Sequence, residues 1–368
     1  ERSGAELDQG QEAEMKPCRW VVVCLTLLVS GASATTPPNA WDVVRDPALR
    51  ERYELHATVS RLFEAHARER SRPRFGSPEL ADAYLLQART MLEIADAAHS
   101  PDAQLRFDVG RVYQLFAERE PGENFGMFRQ AAEVLDSAIT MAPAHPATED
   151  ALLQLATCYA RFDTEKEVAT YERLLAVAEN PRTRAVSYLN RSEALMRLGH
   201  LDQAILDAHY AVELDASPSD TALANMDLAV ELDRYGDGYG AMRAGEAAVR
   251  GYPQVVHMLI SEDADRSVFF VPDYDKHWYR AVALSVLARA CTQGACIDSG
   301  SESQAVRAES YWRSASIEWD RYLALAEVAT PWLGVARRNQ AQAKKRLAEV
   351  TAKLPLPAQR KEPTDLVF

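Results

Sequence analysis

Apolar positions recur three and four residues apart over long stretches of the chain, interrupted by short polar, proline- or glycine-bearing breaks. That is the period of amphipathic helices rather than of strands. Residues 41–70 and 79–98 carry such stripes and predict two N-terminal helices, broken by the segment 71–78 with Pro73, Gly76 and Pro78. Near the other end Trp332, Val335, Ala336, Asn339, Ala343 and Leu347 share one face of a last helix, with Thr330 as N-cap and Pro331 in the first turn. The opposite face holds Arg337, Arg338, Gln342, Lys344, Lys345 and Glu349, as expected of a closing helix with one side in water. The pattern changes between 255 and 274, where β-branched and aromatic runs flank the polar stretch 261–267. This predicts a short β-hairpin at 255–271 or a packed loop.

A longer regularity of about 34 residues lies over the helical period. In its clearest copy Tyr188 and Leu195 are followed by Gly199, then Leu201, with small residues at Ser192, Ala204, Ala208 and Ala211. Small residues let two helices of a hairpin approach closely, and a glycine between them suits the left-handed backbone that ends the first helix. Neighbouring windows repeat the spacing through Leu228, Ala229, Gly236, Ala241 and Ala248, and upstream through Leu152, Ala156, Tyr159, Ala169 and Ala176. The pattern resembles the tetratricopeptide repeat. The resemblance covers about 103–326 and implies an all-α, right-handed α-solenoid of helix-turn-helix units that binds partners on the concave face lined by first helices.

The expected organisation is a helical N-terminal cap at 35–102 and a solenoid at 103–326, with units at 103–143, 149–181, 185–217, 222–253 and, less regularly, 276–326. A closing helix at 327–353 and an extended tail at 354–368 follow. Ahead of them, residues 1–34 read as an over-extended start followed by a secretory signal: Lys16 and Arg19 precede an apolar run at 21–29, and Ala32, Ser33 and Ala34 form a small-residue cleavage site. The apolar run is too short to span a bilayer, so an exported chain in a bacterial periplasm, or secreted, with no stable membrane insertion after cleavage is expected.

Composition narrows the chemistry. The 368 residues are 47% hydrophobic and 26% charged, which excludes disordered and collagen-like classes, and the net charge of −13 disfavours nucleic acid. Downstream of the signal only Cys158, Cys291 and Cys296 remain; in an oxidising compartment Cys291 and Cys296 suit a disulfide closing a loop between two helices. No glycine-rich phosphate loop, zinc-binding histidine pair or nucleophile elbow occurs, so no catalytic residue, metal or cofactor is expected.

The family's concave-face positions fall here on Arg111, Leu153, Arg161, Leu189, Glu193, Met196, Arg197, Met226, Val230 and Arg234. Leu189, Met196, Met226 and Val230 would form an apolar strip for a partner peptide or helix. Arg161, Arg197 and Arg234 would form a ladder that pairs with the partner's acidic groups, or else remains a solvated edge. The expected function is a non-catalytic protein-interaction scaffold in the cell envelope. One rival is a permanent subunit of an envelope complex held through Trp312, Trp319 and Trp332. The other is an enzyme with a site built from 118–126 and 255–275, gathering His257, Asp263, Asp265 and Asp273.

Overall fold

The computed structural model describes residues 40–72, 76–119, 125–261, 274–296, 302–326 and 330–354. Among them are fifteen α-helices and no strand: α1 Ala40–Arg45, α2 Pro47–Ser71, α3 Pro78–Ile94, α4 Ala103–Ala117, α5 Phe125–Met141, α6 Thr148–Tyr159, α7 Thr164–Val177, α8 Pro181–Arg197, α9 Leu201–Leu214, α10 Pro218–Tyr235, α11 Gly238–Gly251, α12 Pro253–Ile260, α13 Asp275–Thr292, α14 Gln304–Leu325 and α15 Leu333–Thr351. The expected signal at 1–34 and all but the first residue of the tail lie outside the described residues.

Sequence punctuation sets the helix limits. Asp46 accepts from Ala48 N and Leu49 N with Pro47 next, which splits the first expected helix into α1 and α2. Ser77, Asp102, Asp163, Asn180, Ser217, Asp237 and Ser303 cap the starts of α3, α4, α7, α8, α10, α11 and α14 in the same way. At the end of α8, Gly199 has φ +84°, its N–H donates to Met196 O at 3.0 Å and His200 N donates to Leu195 O at 2.9 Å. These paired bonds satisfy carbonyls that the helix leaves open, and only glycine adopts that φ without strain. The closing helix starts at Leu333, two residues later than expected, because Pro331 and Trp332 form a turn ahead of it.

Consecutive helices pack against each other along the whole chain, and first helices also touch across units: α4 meets α6, α8 meets α10, and α10 meets α13. This is an α-solenoid of tetratricopeptide-like helical hairpins. Ala204, Ala208 and Ala211 on α9 and Ala241, Ala244 and Ala248 on α11 are buried where helices meet. Two approaches are closer still: a Cβ at Gly110 would lie 2.4 Å from Leu135 Cγ, and one at Gly245 would lie 2.4 Å from Val286 Cγ2. The apolar interior falls into an N-terminal cluster over α2–α4, a second over α4–α7, and the largest, running from the end of α8 to α15.

Over its described part the expected hairpin at 255–271 is a helix. Pro253 opens α12, and Val255, Val256 and Leu259 turn one helical face into the core. A short apolar run has no period of its own to separate strand from helix, and here the proline and the packing of α12 on α11 and α13 decide. Residues 262–273 lie outside the described residues. α13 is buried almost all round; its Arg280 donates to Leu259 O at 3.3 Å and to Ser261 O at 2.8 Å, pinning the end of α12. After α13, Cys291 and Cys296 are joined as a disulfide, and Cys158 is a free, buried thiol.

Candidate functional site: the first-helix face of the central repeats

The side chains expected to form an open apolar strip are core. Met196, Met226 and Val230 have no exposed surface, and Leu153 and Leu189 are buried. First helices in this chain are flanked on both sides by neighbouring units, so a residue on the expected inner stripe is covered wherever the next first helix lies against it.

The ladder arginines meet acids, carbonyls and rings of the protein itself. Arg234 is buried and donates through Nη2 to Asp275 Oδ1 at 2.7 Å, with its guanidinium 4.7 Å from the Trp278 ring centre and 5.9 Å from that of Trp332. Arg197 donates to Glu167 Oε2 at 2.5 Å and to Ala160 O at 3.4 Å. Half-buried Arg161 lies 5.5 Å from the Phe128 ring centre and helps hold the Glu118 carboxylate charged against the burial that pushes its pKa up. The three occupy like positions in successive units and join each unit to a neighbour. Arg111, further toward the N-terminus, lies 4.6 Å from the Phe63 ring centre between Asp108 and Asp150.

What the first-helix face leaves over is acid. Glu193 of α8, Asp227 and Glu231 of α10 and Tyr279 of α13 form one group: the Tyr279 hydroxyl donates to Glu193 Oε1 at 3.4 Å, and Asp227 is in electrostatic reach of Glu193, Glu231 and Tyr279. None of these carboxylates has an ion-pair partner among the described residues. Glu231 is 0% exposed, and neither of its oxygens has a hydrogen-bond partner. Ser192, its polar neighbour, commits its hydroxyl to Leu189 O at 2.8 Å. Burial is the main cause that pushes Glu193 up to about 7 and Glu231 up to about 8, and Asp227 also lies well above the usual carboxylate range. Glu167 rises to about 7 by burial despite Arg197. A raised carboxyl holds its proton near neutrality, the ordinary response when burial outweighs the available positive charge.

Glu193 also reaches a surface. Thr157, Ala160, Glu167, Tyr171, Asn190 and Glu193 line a narrow cleft between α6, α7 and α8, with space for roughly one water molecule. Its walls are set by fixed bonds: Asn190 Nδ2 donates to the Tyr171 hydroxyl at 2.9 Å, Thr157 donates to Leu153 O at 3.0 Å, and Arg197 holds Glu167. Glu193 lines this cleft, as do Thr157 and Ala160, which also fall at concave-face positions of their repeat. Glu167, Tyr171, Asp227, Glu231 and Tyr279 were not expected at a site. The signal for the acids on α10 was legible, since Asp227 and Glu231 stand among Met226, Leu228, Ala229, Val230 and Leu232, where a solvated carboxylate is out of place.

The rival surfaces fare differently. Trp312 and Trp319 are buried and Trp332 is partly buried, packed with Trp278 and Tyr322 in the C-terminal core, so they present no tryptophan-rich docking face. His257 is half-buried on α12, whereas Asp263, Asp265 and Asp273 lie outside the described residues. Among the described residues no group of three His, Cys, Asp or Glu side chains could hold a metal ion, and no helix is long and apolar enough to cross a membrane.

Fold and site together define a tetratricopeptide-like helical repeat protein with an acid-rich cleft on its first-helix face. No protein-family model and no curated protein sequence matches the chain. Among solved structures it is similar to MamA (AMB-1), at 18% identity over 46% of this chain and 90% of that one, with a TM-score of 0.37. It is also similar to BtubC (BKLC) from P. vanneervenii, at 15% identity over 66% of this chain and 96% of that one, with a TM-score of 0.34.

Proposed function

We propose that the protein is a non-catalytic scaffold that holds a protein partner on the first-helix face of its central repeats, centred on the cleft between α6, α7 and α8. The observation that carries this reading is the convergence there of Thr157, Glu167, Tyr171, Asn190 and Glu193 from three helices of two adjacent units, although the surrounding face is closed by packing. A photo-crosslinking residue in place of Asn190 should capture one defined partner from the native host. The same residue in place of Arg173, an exposed position paired with Asp136 on α5, should not. Equal capture at both positions, or capture at Arg173 alone, would move the interface off this face.

The scaffold is assigned to an exported compartment. Support comes from the basic, apolar and small-residue sequence of 16–34 and from the Cys291–Cys296 disulfide, a bond that persists in oxidising surroundings. Mature protein from the native host should begin at Thr35 with Cys291 linked to Cys296. A product that retains Met15 and carries five free thiols would reject the assignment.

A further inference from the structure

We propose that the outward face of α15 docks on the surface of an anionic lipid bilayer, so that the C-terminal end of the solenoid rests on the headgroups. The inference is independent of the cleft between α6, α7 and α8, and neither reading falls with the other.

Three observations carry it. The first is charge. α15 holds Arg337, Arg338, Lys344, Lys345 and Arg346 against one acid, Glu349, in a chain whose net charge is −13, and all five cations are exposed. The helix beneath does not cancel them, since Arg307, Arg313 and Arg321 on α14 balance Glu309, Glu318 and Asp320. The second is what stays unpaired. Lys344 bonds to Asp320 at 3.0 Å and Arg346 to Glu349 at 2.9 Å, but Arg337, Arg338 and Lys345 make no hydrogen bond or ion pair among the described residues. Arg338 is only in electrostatic reach of buried Asp233. The third is place. α15 packs on α14 and α13, and the side turned away from them is open along Gly334, Arg338, Ala341, Lys345 and Ala348.

The form of the face favours a bilayer over a protein. At about 3.6 residues per turn, Gly334, Arg338, Ala341, Lys345 and Ala348 run down the middle of the exposed side, with Arg337 and Lys344 on one flank. Small side chains between the cations let them reach one plane, and no large apolar residue is exposed on α15. A protein interface draws its affinity from buried apolar and aromatic anchors, which this face lacks. A headgroup layer asks only for clustered cations, each of which strengthens binding roughly fivefold. Charge more than a Debye length away, about 8 Å, is largely screened, so the acidic body of a solenoid standing end-on repels the bilayer little. Ala336, Ala343 and Val350 keep the apolar side of α15 in the core, and no described helix is long and apolar enough to cross a membrane. The contact is therefore with headgroups alone.

Vesicle flotation of the full chain is the test. The protein should bind vesicles of phosphatidylcholine with one third phosphatidylglycerol roughly tenfold or more better than vesicles of phosphatidylcholine alone, and molar salt should abolish the difference. Arg337→Glu, Arg338→Glu and Lys345→Glu together should weaken binding by roughly tenfold or more with the melting temperature nearly unchanged, because these side chains are exposed and hold no partner. The matching control is Lys166→Glu, Arg173→Glu and Arg250→Glu, which changes net charge equally at exposed positions on α7 and α11 and should bind like the parent. Equal flotation with both vesicles, binding that survives molar salt, undiminished binding by the folded α15 variant, or an equal loss in the control would overturn the proposal. A photo-crosslinking residue at Ala341 that captures a protein and no lipid in the native host would overturn it too, and would give the face to an acidic protein. None of these outcomes bears on capture at Asn190, which tests the scaffold by itself.

Discussion

At the scale of single residues the ladder arginines are part of the folded state. Arg234 and Asp275 are both buried, so removing one partner leaves an uncompensated charge in the core. Arg234→Ala should destabilise by roughly 3–5 kcal/mol in urea unfolding, and Asp275→Asn in the same chain should recover much of that loss. Arg197→Ala should act in the same sense through Glu167. These residues read as exposed in the sequence for a physical reason: a charged side chain on a helix face is solvated unless something meets it, and what meets Arg197 and Arg234 lies 30 and 41 residues away. Only assembly of the units brings them together. Glu193, Asp227 and Glu231 make a second residue-scale prediction. Their carboxyls have folded pKa values raised above the unfolded ones, so the folded chain holds protons that the unfolded chain releases. Their favourable contribution is complete below about pH 4.5 and is lost as pH rises through about 7 to 8. Glu231→Gln should therefore raise the melting temperature at pH 8.5 and change it little at pH 4.5. Equal effects at both pH values would mean that Glu231 is ionised, and so paired, in the folded protein.

Helices meet at distances set by what is absent from their faces. Gly245 on α11 lies against Val286, a buried β-branched side chain with no soft end to move aside. Gly245→Ala should cost about 1–3 kcal/mol through overpacking, in spite of alanine's better helix propensity, and Val286→Ala in the same chain should relieve the clash. Gly126 on α5 is the control, since a Cβ there meets nothing within 4 Å and Gly126→Ala should be neutral or mildly stabilising. Much of this level was legible beforehand. The period of small residues at Ser192, Ala204 and Ala211, with Gly199 between helices, was enough to place a helical hairpin and its neighbours. α12 was less legible because five apolar residues after Pro253 fit either kind of element until a neighbouring helix covers one face. The cleft was the least legible feature. Thr157 stands at a concave-face position of its repeat, but Tyr171 lies on a second helix, and the two meet Asn190 only because α6, α7 and α8 converge.

At the scale of the whole molecule, a solenoid holds its parts through neighbours rather than through one shared core. The three main apolar clusters differ in extent. The one running from the end of α8 to α15 is the largest, and at the other end the short α1 keeps an exposed Trp41 and Val44. Amide exchange should therefore be slowest in α10 and α13 and fastest in α1, with α4–α7 between them. Uniform protection across all fifteen helices would show that the chain opens only as a unit. Residues 1–39 and the tail beyond 354 do not enter this expectation.

The aromatic packing around Arg234 has one more consequence. Of the six tryptophans, Trp278, Trp312, Trp319 and Trp332 lie at or after α13, Trp41 is exposed on α1, and Trp20 lies outside the described residues. The chain's ultraviolet emission is thus nearly a private signal of its C-terminal third, blue-shifted while that region stays packed, whereas far-ultraviolet dichroism counts every helix equally. Followed together through a denaturant titration, the two signals time the loss of one end of the solenoid against the loss of the whole. A lag of the emission change behind the dichroic change would give, without any label, the order in which the repeats let go.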